Sequence, residues 1–149
     1  MHINPDYFLE TPNGRIYTPE RNNHAWQQCY LALKKAIQSG QFNKVYLLIG
    51  CQASGKTSWA KQQLKVDSKA IIFDAILVKS SERKKVIDII KQSGMEYIAV
   101  YFQTELSTCL KRNLLRPADE IVDQSALRNV FNALERPTLN EGFTQIIIV

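Results

Sequence analysis

The chain has 149 residues and a mass of 17.1 kDa, the length of one ordinary domain spanning residues 1–149, with no room for a second core. It is 45% hydrophobic and 22% charged, which excludes a disordered chain. Nineteen Lys and Arg against 14 Asp and Glu leave a formal charge of +5, an excess that suits an anionic ligand without identifying one.

The cysteines Cys29, Cys51 and Cys109 form no CxxC pair. A disulfide framework and a thiolate zinc site are therefore not expected, and a reducing compartment is. The opening MHINPDYFLE has neither a basic n-region nor an apolar h-region, and no apolar run approaches the ~18 residues of a membrane span. The expectation is a cytoplasmic protein with no membrane partner.

In chain order, Pro12-Asn13-Gly14 between short apolar runs predicts a hairpin over Tyr7–Tyr17. Trp26, Cys29, Tyr30, Leu33 and Ile37 fall at helical spacing from Asn23 to Ser39, with Gly40 placed to stop the helix. Residues 1–42 thus form an extension, and residues 43–149 a core. The core opens with the apolar run Val45–Ile49, a Gly-rich turn, and a helix from Lys56 to about Leu64. Ala70–Phe73 predicts a second strand, ending in Asp74. A helix follows between Ser81 and Ser93, then a strand at Tyr97–Phe102. Thr104 is placed to cap a helix reaching about Leu115. Leu127, Val130, Phe131 and Leu134 mark another helix closed by Pro137, and Gln145–Val149 is the last strand. Strands apolar throughout, alternating with helices, predict an α/β fold: a parallel sheet of about four or five strands covered by helices in three layers.

Gly50-Cys51-Gln52-Ala53-Ser54-Gly55-Lys56-Thr57 satisfies GxxxxGK[ST] between a predicted strand and a predicted helix. Its glycines let successive N–H groups aim at phosphate oxygens, and the helix N-terminus adds positive potential at the same point. The segment Gly50–Ser58 is therefore a nucleotide-binding loop of the P-loop NTPase type. Lys56 is placed to reach the β and γ phosphates, and Thr57 to ligate Mg²⁺. Asp74, at the end of the neighbouring strand, is a second candidate Mg²⁺ ligand, with a turn cap as the alternative. Arg112 and Arg116 are four residues apart on one predicted helical face, beside Lys111. They suit either a phosphoryl clamp or a solvated helix end.

These motifs, with Asp74-Ala75 and Arg83, Cys109-Leu110-Lys111-Arg112-Asn113 with Arg116, and Glu135-Arg136-Pro137 with Glu141-Gly142-Phe143, resemble the P-loop kinases of the polynucleotide 5′-kinase family over residues 43–149. The resemblance implies an ATP- and Mg²⁺-dependent kinase whose acceptor is a nucleic-acid 5′ end, a nucleoside or a small hydroxyl compound. It also implies that Arg112 and Arg116 belong to a lid over ATP, so that Lys56, Asp74, Arg112 and Arg116 carry the chemistry.

The chain departs from that family between the P-loop helix and Ala70. Only Gln62–Lys69 stand there, too few for the strand that brings the family's general-base Asp. Asp67 is the one carboxylate in the gap, and Ile76-Leu77 replace the Thr-Asn that usually follows the later Asp. A nucleotide-binding or ATP-hydrolysing module without kinase activity is therefore the alternative expectation. The hairpin or first helix of the extension is placed to cap the sheet edge that this gap leaves.

His2 and His24 have no metal-binding spacing and are expected at the surface. Trp26 and Tyr30 are expected to pack the first helix on the core, and Cys51 to fill a small position. Arg83-Lys84-Lys85 are expected on a solvated helix face, and Glu141-Gly142-Phe143 form either a turn seating Phe143 in the core or a ligand contact.

Overall fold

The computed structural model describes residues 1–149. In chain order its elements are β1 (His2–Ile3), β2 (Glu10–Thr11), β3 (Gly14–Arg15), α1 (Pro19–Gln38), β4 (Lys44–Ile49), α2 (Lys56–Val66), β5 (Ala70–Asp74), α3 (Ser80–Lys91), β6 (Glu96–Tyr101), α4 (Leu106–Leu114), α5 (Gln124–Asn132) and β7 (Gln145–Ile148). Five strands form one parallel sheet in the order β1-β5-β4-β6-β7, and β2 pairs antiparallel with β3. No helix is long and apolar enough to cross a membrane.

The strands are apolar on both faces because both faces are covered. Val45, Leu47, Ile49, Ile71 and Phe73 point to the side where α1 packs through Cys29, Leu33 and Ala36, and α3 through Val86, Ile87 and Ile90. Tyr46, Leu48, Ile72, Ile98 and Val100 point to the other side, where α2 packs through Ala60 and Trp59. The fold is a three-layer α/β sandwich with a five-stranded parallel sheet. A third cluster joins Cys51 of the Gly-rich loop to Cys109 of α4 and Leu127 of α5.

The extension departs most from expectation. The sheet edge beside β5 is covered neither by the hairpin nor by the first helix, but by β1, which pairs His2 with Ile72 and Ile3 with Phe73. The hairpin is shorter than expected, and Pro5–Phe8 is a 3₁₀ turn. The first helix begins at Pro19, with the Thr18 side chain accepting from the Arg21 amide, and lies on a sheet face. Arg15 anchors the hairpin: its guanidinium meets Asp6 at 3.2 Å, Glu10 at 2.9 Å and Glu120 at 3.4 Å, while its amide donates to Asp119 at 2.7 Å. The extension thereby reaches across to the segment that follows α4.

Arg83 also differs from expectation. It is fully buried, whereas Lys84 and Lys85 are exposed. A helix facing the sheet with Val86 and Ile90 carries the residue three or four positions earlier to the same side. Its charge is met by Glu141 at 2.7 and 3.1 Å, and Nη1 donates to the carbonyls of Leu77, Val78 and Glu135. Glu141 is thus a structural partner, and Phe143 is buried against Tyr97, which selects the core-seating role for that turn.

Candidate active site

Strand β4 ends at Ile49, and the chain turns through Gly50–Gly55 into α2 at the C-terminal edge of the sheet. Gly50 has no room for a side chain, since a Cβ would lie 2.7 Å from Ser54 Oγ and 2.9 Å from Phe102 Cβ. Gly55 is the N-cap of α2 with φ 104°, a left-handed conformation that glycine adopts at little cost. No side chain caps this helix, and the amides of Gly55, Lys56, Thr57 and Ser58 find no backbone acceptor. Ser54 Oγ and Gln52 Oε1 are buried without a hydrogen-bond partner. Buried polar atoms are almost always paired. Here the unpaired groups line a loop whose free amides already favour an anion.

Lys56 Nζ donates to the carbonyls of Gly50 and Cys51, both at 2.8 Å. Burial pulls its pKa down from the usual lysine range, and the Asp74 charge opposes the shift without cancelling it.

Asp74 is 2% exposed at the end of β5. Its Oδ2 accepts from Thr57 Oγ1 at 2.8 Å, Asn4 Nδ2 at 3.1 Å and His2 Nε2 at 2.9 Å. Burial alone would raise the Asp74 pKa. The His2 hydrogen bond, the Lys56 charge and the Thr57 hydroxyl outweigh it and hold the carboxyl below its ordinary value. His2 is therefore not a surface residue: β1 delivers it to Asp74, and its Nδ1 meets the Tyr7 hydroxyl at 2.7 Å. Sequence spacing had no means of finding His2 or Asn4, which reach Asp74 through a pairing across 70 residues of chain. His24 is exposed as expected.

The Thr57 hydroxyl and Asp74 carboxylate form the hard oxygen pair that Mg²⁺ prefers. No cluster of three or more His, Cys, Asp or Glu side chains offers a metal site made by protein alone. The pair therefore fits a magnesium ion that takes its remaining ligands from phosphate and water. Asp67 lies elsewhere. It sits at the far end of α2, 3.5 Å from Lys44 at the start of β4, and thus at the N-terminal end of the strands, away from the Gly-rich loop.

Both arginines border the cleft beside the loop, but from different elements. Arg112 is on α4 and overhangs the loop, its Nη1 3.8 Å from where a Gly55 Cβ would stand. Arg116 lies beyond the helix end rather than one turn along the same face, and faces Glu120 at 3.8 Å. Thr104 does not cap α4: Glu105 occupies the N-cap, and the Thr104 hydroxyl donates to Ser54 O at 2.8 Å, tying the helix to the loop. Asn113 is fully buried and clamps the chain after α4 through both its bonds to Val122.

Two concavities flank the loop. A 290 Å³ pocket is lined by Ser54, Trp59, Phe102, Arg112 and Val149, among others. On the Asp74 side a 1880 Å³ cleft runs from Lys56, Thr57 and Arg112 to the extension, where Asp6, Tyr7, Trp26 and Tyr30 line it.

Cys51 Sγ lies 3.2 Å from Cys109 Sγ as a pair of hydrogen-bonded thiols, filling a small space as expected. Burial, with the Cys51 contact, pushes Cys109 up to about 12, and burial pushes Cys29 up to about 12, from an ordinary 9.0. In the folded chain both should carry roughly 10³-fold less thiolate than when unfolded. Iodoacetamide at pH 8 is expected to modify them in urea but not in buffer, as read by mass spectrometry. Their stabilising contribution is full below pH 9.0, the unfolded value, and is lost as pH rises toward 12. Rapid labelling of Cys29 or Cys109 in the folded protein would contradict this.

No family model matches the sequence, and no curated protein matches it. Among solved structures, Chaetomium thermophilum Kti12 in complex with ADP-AlF3 is similar over 83% of this chain and 79% of that chain, with 17% sequence identity and a TM-score of 0.47.

Proposed function

We propose that the chain is a Mg·ATP-dependent phosphotransferase that moves the γ-phosphoryl group of ATP to a hydroxyl acceptor. One observation carries this reading. The phosphate-shaped loop, with its unpaired Ser54 hydroxyl and free amides, meets the Thr57–Asp74 oxygen pair at the mouth of a cleft with room for a second substrate. Residues 43–149 serve as the nucleotide-binding core, and residues 1–42 supply the acceptor wall.

In this reading the amides of Gly50–Ser58 and the Ser54 hydroxyl hold the phosphates. Lys56 leaves the carbonyls of Gly50 and Cys51 for the β and γ phosphates, and Arg112 and Arg116 supply charge to the migrating group. Thr57 and Asp74 would hold Mg²⁺, which would supply charge neutralisation at the phosphates. The acceptor oxygen bonds to the γ-phosphorus as its bond to the β–γ bridging oxygen breaks. ADP leaves with that electron pair, and the acceptor proton passes to a carboxylate of the cleft or to water. Asp6 is such a carboxylate, close enough for its charge to act on Lys56.

Incubation with γ-labelled Mg·ATP and a panel of hydroxyl acceptors is expected to move label to an acceptor, and Asp74→Asn to lower the rate by about 10²-fold or more. The place of Asp67 at the N-terminal end of the strands, away from the loop, favours a second reading, a nucleotide-binding module that has lost transfer. Saturable ATP binding with no labelled product would select it, and absence of ATP binding would overturn both.

A further inference from the structure

The face that α1 turns to the cleft consists of Asn22, Asn23, Trp26, Gln27 and Tyr30. Their spacing places all five along one side of a helix, and none is charged. The side chains of Asn22, Asn23 and Gln27 make no hydrogen bond within the protein, while the neighbouring Arg21 turns away to Ile16 O and Leu9 O. Trp26 and Tyr30 are half-buried, with ring centroids 5.9 Å apart and tilted by 45°. Trp26 also rests on Phe73 at 6.2 Å. The expected core packing thus holds along their inner edges, and the same contacts fix the outer edges that line the cleft.

An aromatic pair held against the core and flanked by amides without a protein partner is matched to a flat heteroaromatic ring that packs against the aromatic edges and presents donors and acceptors at its rim. The nucleotide's own base has another place to lie, the pocket between Trp59, Phe102 and Val149 on the opposite flank of the loop. The wall's charges also limit what can enter. Lys56, Lys61, Arg112 and Arg116 gather at the loop and the segments beside it, where the phosphates of ATP would lie; towards the extension Arg15 is shared among Asp6, Glu10 and Glu120, and Lys85 of α3 stands alone. A groove that tracks a phosphodiester backbone needs a run of free cations, and the α1 face has none.

We propose that the acceptor is a free nucleoside, its base held on the Trp26–Tyr30 face and its rim read by Asn22, Asn23 and Gln27. This rests on the phosphotransferase reading of the same cleft, and it narrows the acceptor from any hydroxyl compound to one with a neutral heterocycle.

Calorimetry tests it with adenosine, guanosine, cytidine and uridine, each alone and with Mg²⁺ plus a non-hydrolysable ATP analogue, and with that analogue separately. The expected result is saturable binding of at least one nucleoside. Its affinity should fall about tenfold in Asn23→Ala/Gln27→Ala, two exposed positions, while analogue binding is unchanged. If the analogue binds and no nucleoside does, the inference is overturned and the phosphotransferase reading survives. If nucleosides bind and the analogue does not, the ring site is supported and the phosphotransferase reading falls. Equal losses for nucleoside and analogue in the double variant would assign the face to ATP's base and overturn the inference. A 5′-hydroxyl oligonucleotide that binds more tightly than every free nucleoside would overturn it in favour of a polynucleotide end.

Discussion

Lys56→Ala is expected to reduce phosphoryl transfer by roughly 10²–10³-fold, the usual loss when one charged donor to a transition state is removed. It should also abolish the rise in melting temperature that Mg·ATP gives the wild type, since a ligand stabilises only the state that binds it. The effect is large because the ammonium is buried with two carbonyls as its partners, and burial acts against its charge. A polyphosphate bound at the loop would relieve that penalty. Lys56→Arg should not restore activity, because a planar fork does not fit a space shaped for one ammonium. Transfer and a nucleotide-dependent melting shift that survive in Lys56→Ala would sink the reading of the loop.

The second large effect concerns a residue that never meets substrate. Arg83→Met should destabilise the fold by about 3–5 kcal/mol, which lowers the melting temperature by roughly 10 °C in a chain of this size. The substitution leaves the carbonyls of Leu77, Val78 and Glu135 without their donor and the Glu141 carboxylate without its partner. The neighbouring Lys84→Ala is the control. Its 2.8 Å bridge to Asp88 is solvent-exposed at both ends and is worth at most a few tenths of a kcal/mol. Urea unfolding of the two variants measures the contrast. Equal midpoints would mean that the buried arginine contributes no more than its exposed neighbour. Because Arg83 also holds the chain just after Asp74, a partly folded Arg83→Met protein should lose transfer along with stability.

The strands β4, β5, β6 and β7, the Gly-rich loop and the position of Asp74 were legible because each rests on local signals: apolar runs too short for helices, and a spacing that the loop's backbone requires. The basic run at Arg83–Lys85 was misread because three adjacent cations look alike in sequence, while a helix turns one toward the sheet and two toward water. Arg112 and Arg116 reach the cleft from different elements because α4 ends at Leu114, before Arg116.

Local sequence specified an α/β chain with a GxxxxGK[ST] loop, a carboxylate at the next strand end, and too few residues between α2 and β5 for another strand. Long-range packing settled what covers the β5 edge. A two-residue strand has too little pattern to detect and gains its stability from the edge it covers, so β1 exists only once β5 is in place. With it came His2 and Asn4 on Asp74, and the wall of α1 that closes the cleft. These contacts join residues far apart in the chain, and their energies depend on packing that no local window of sequence contains.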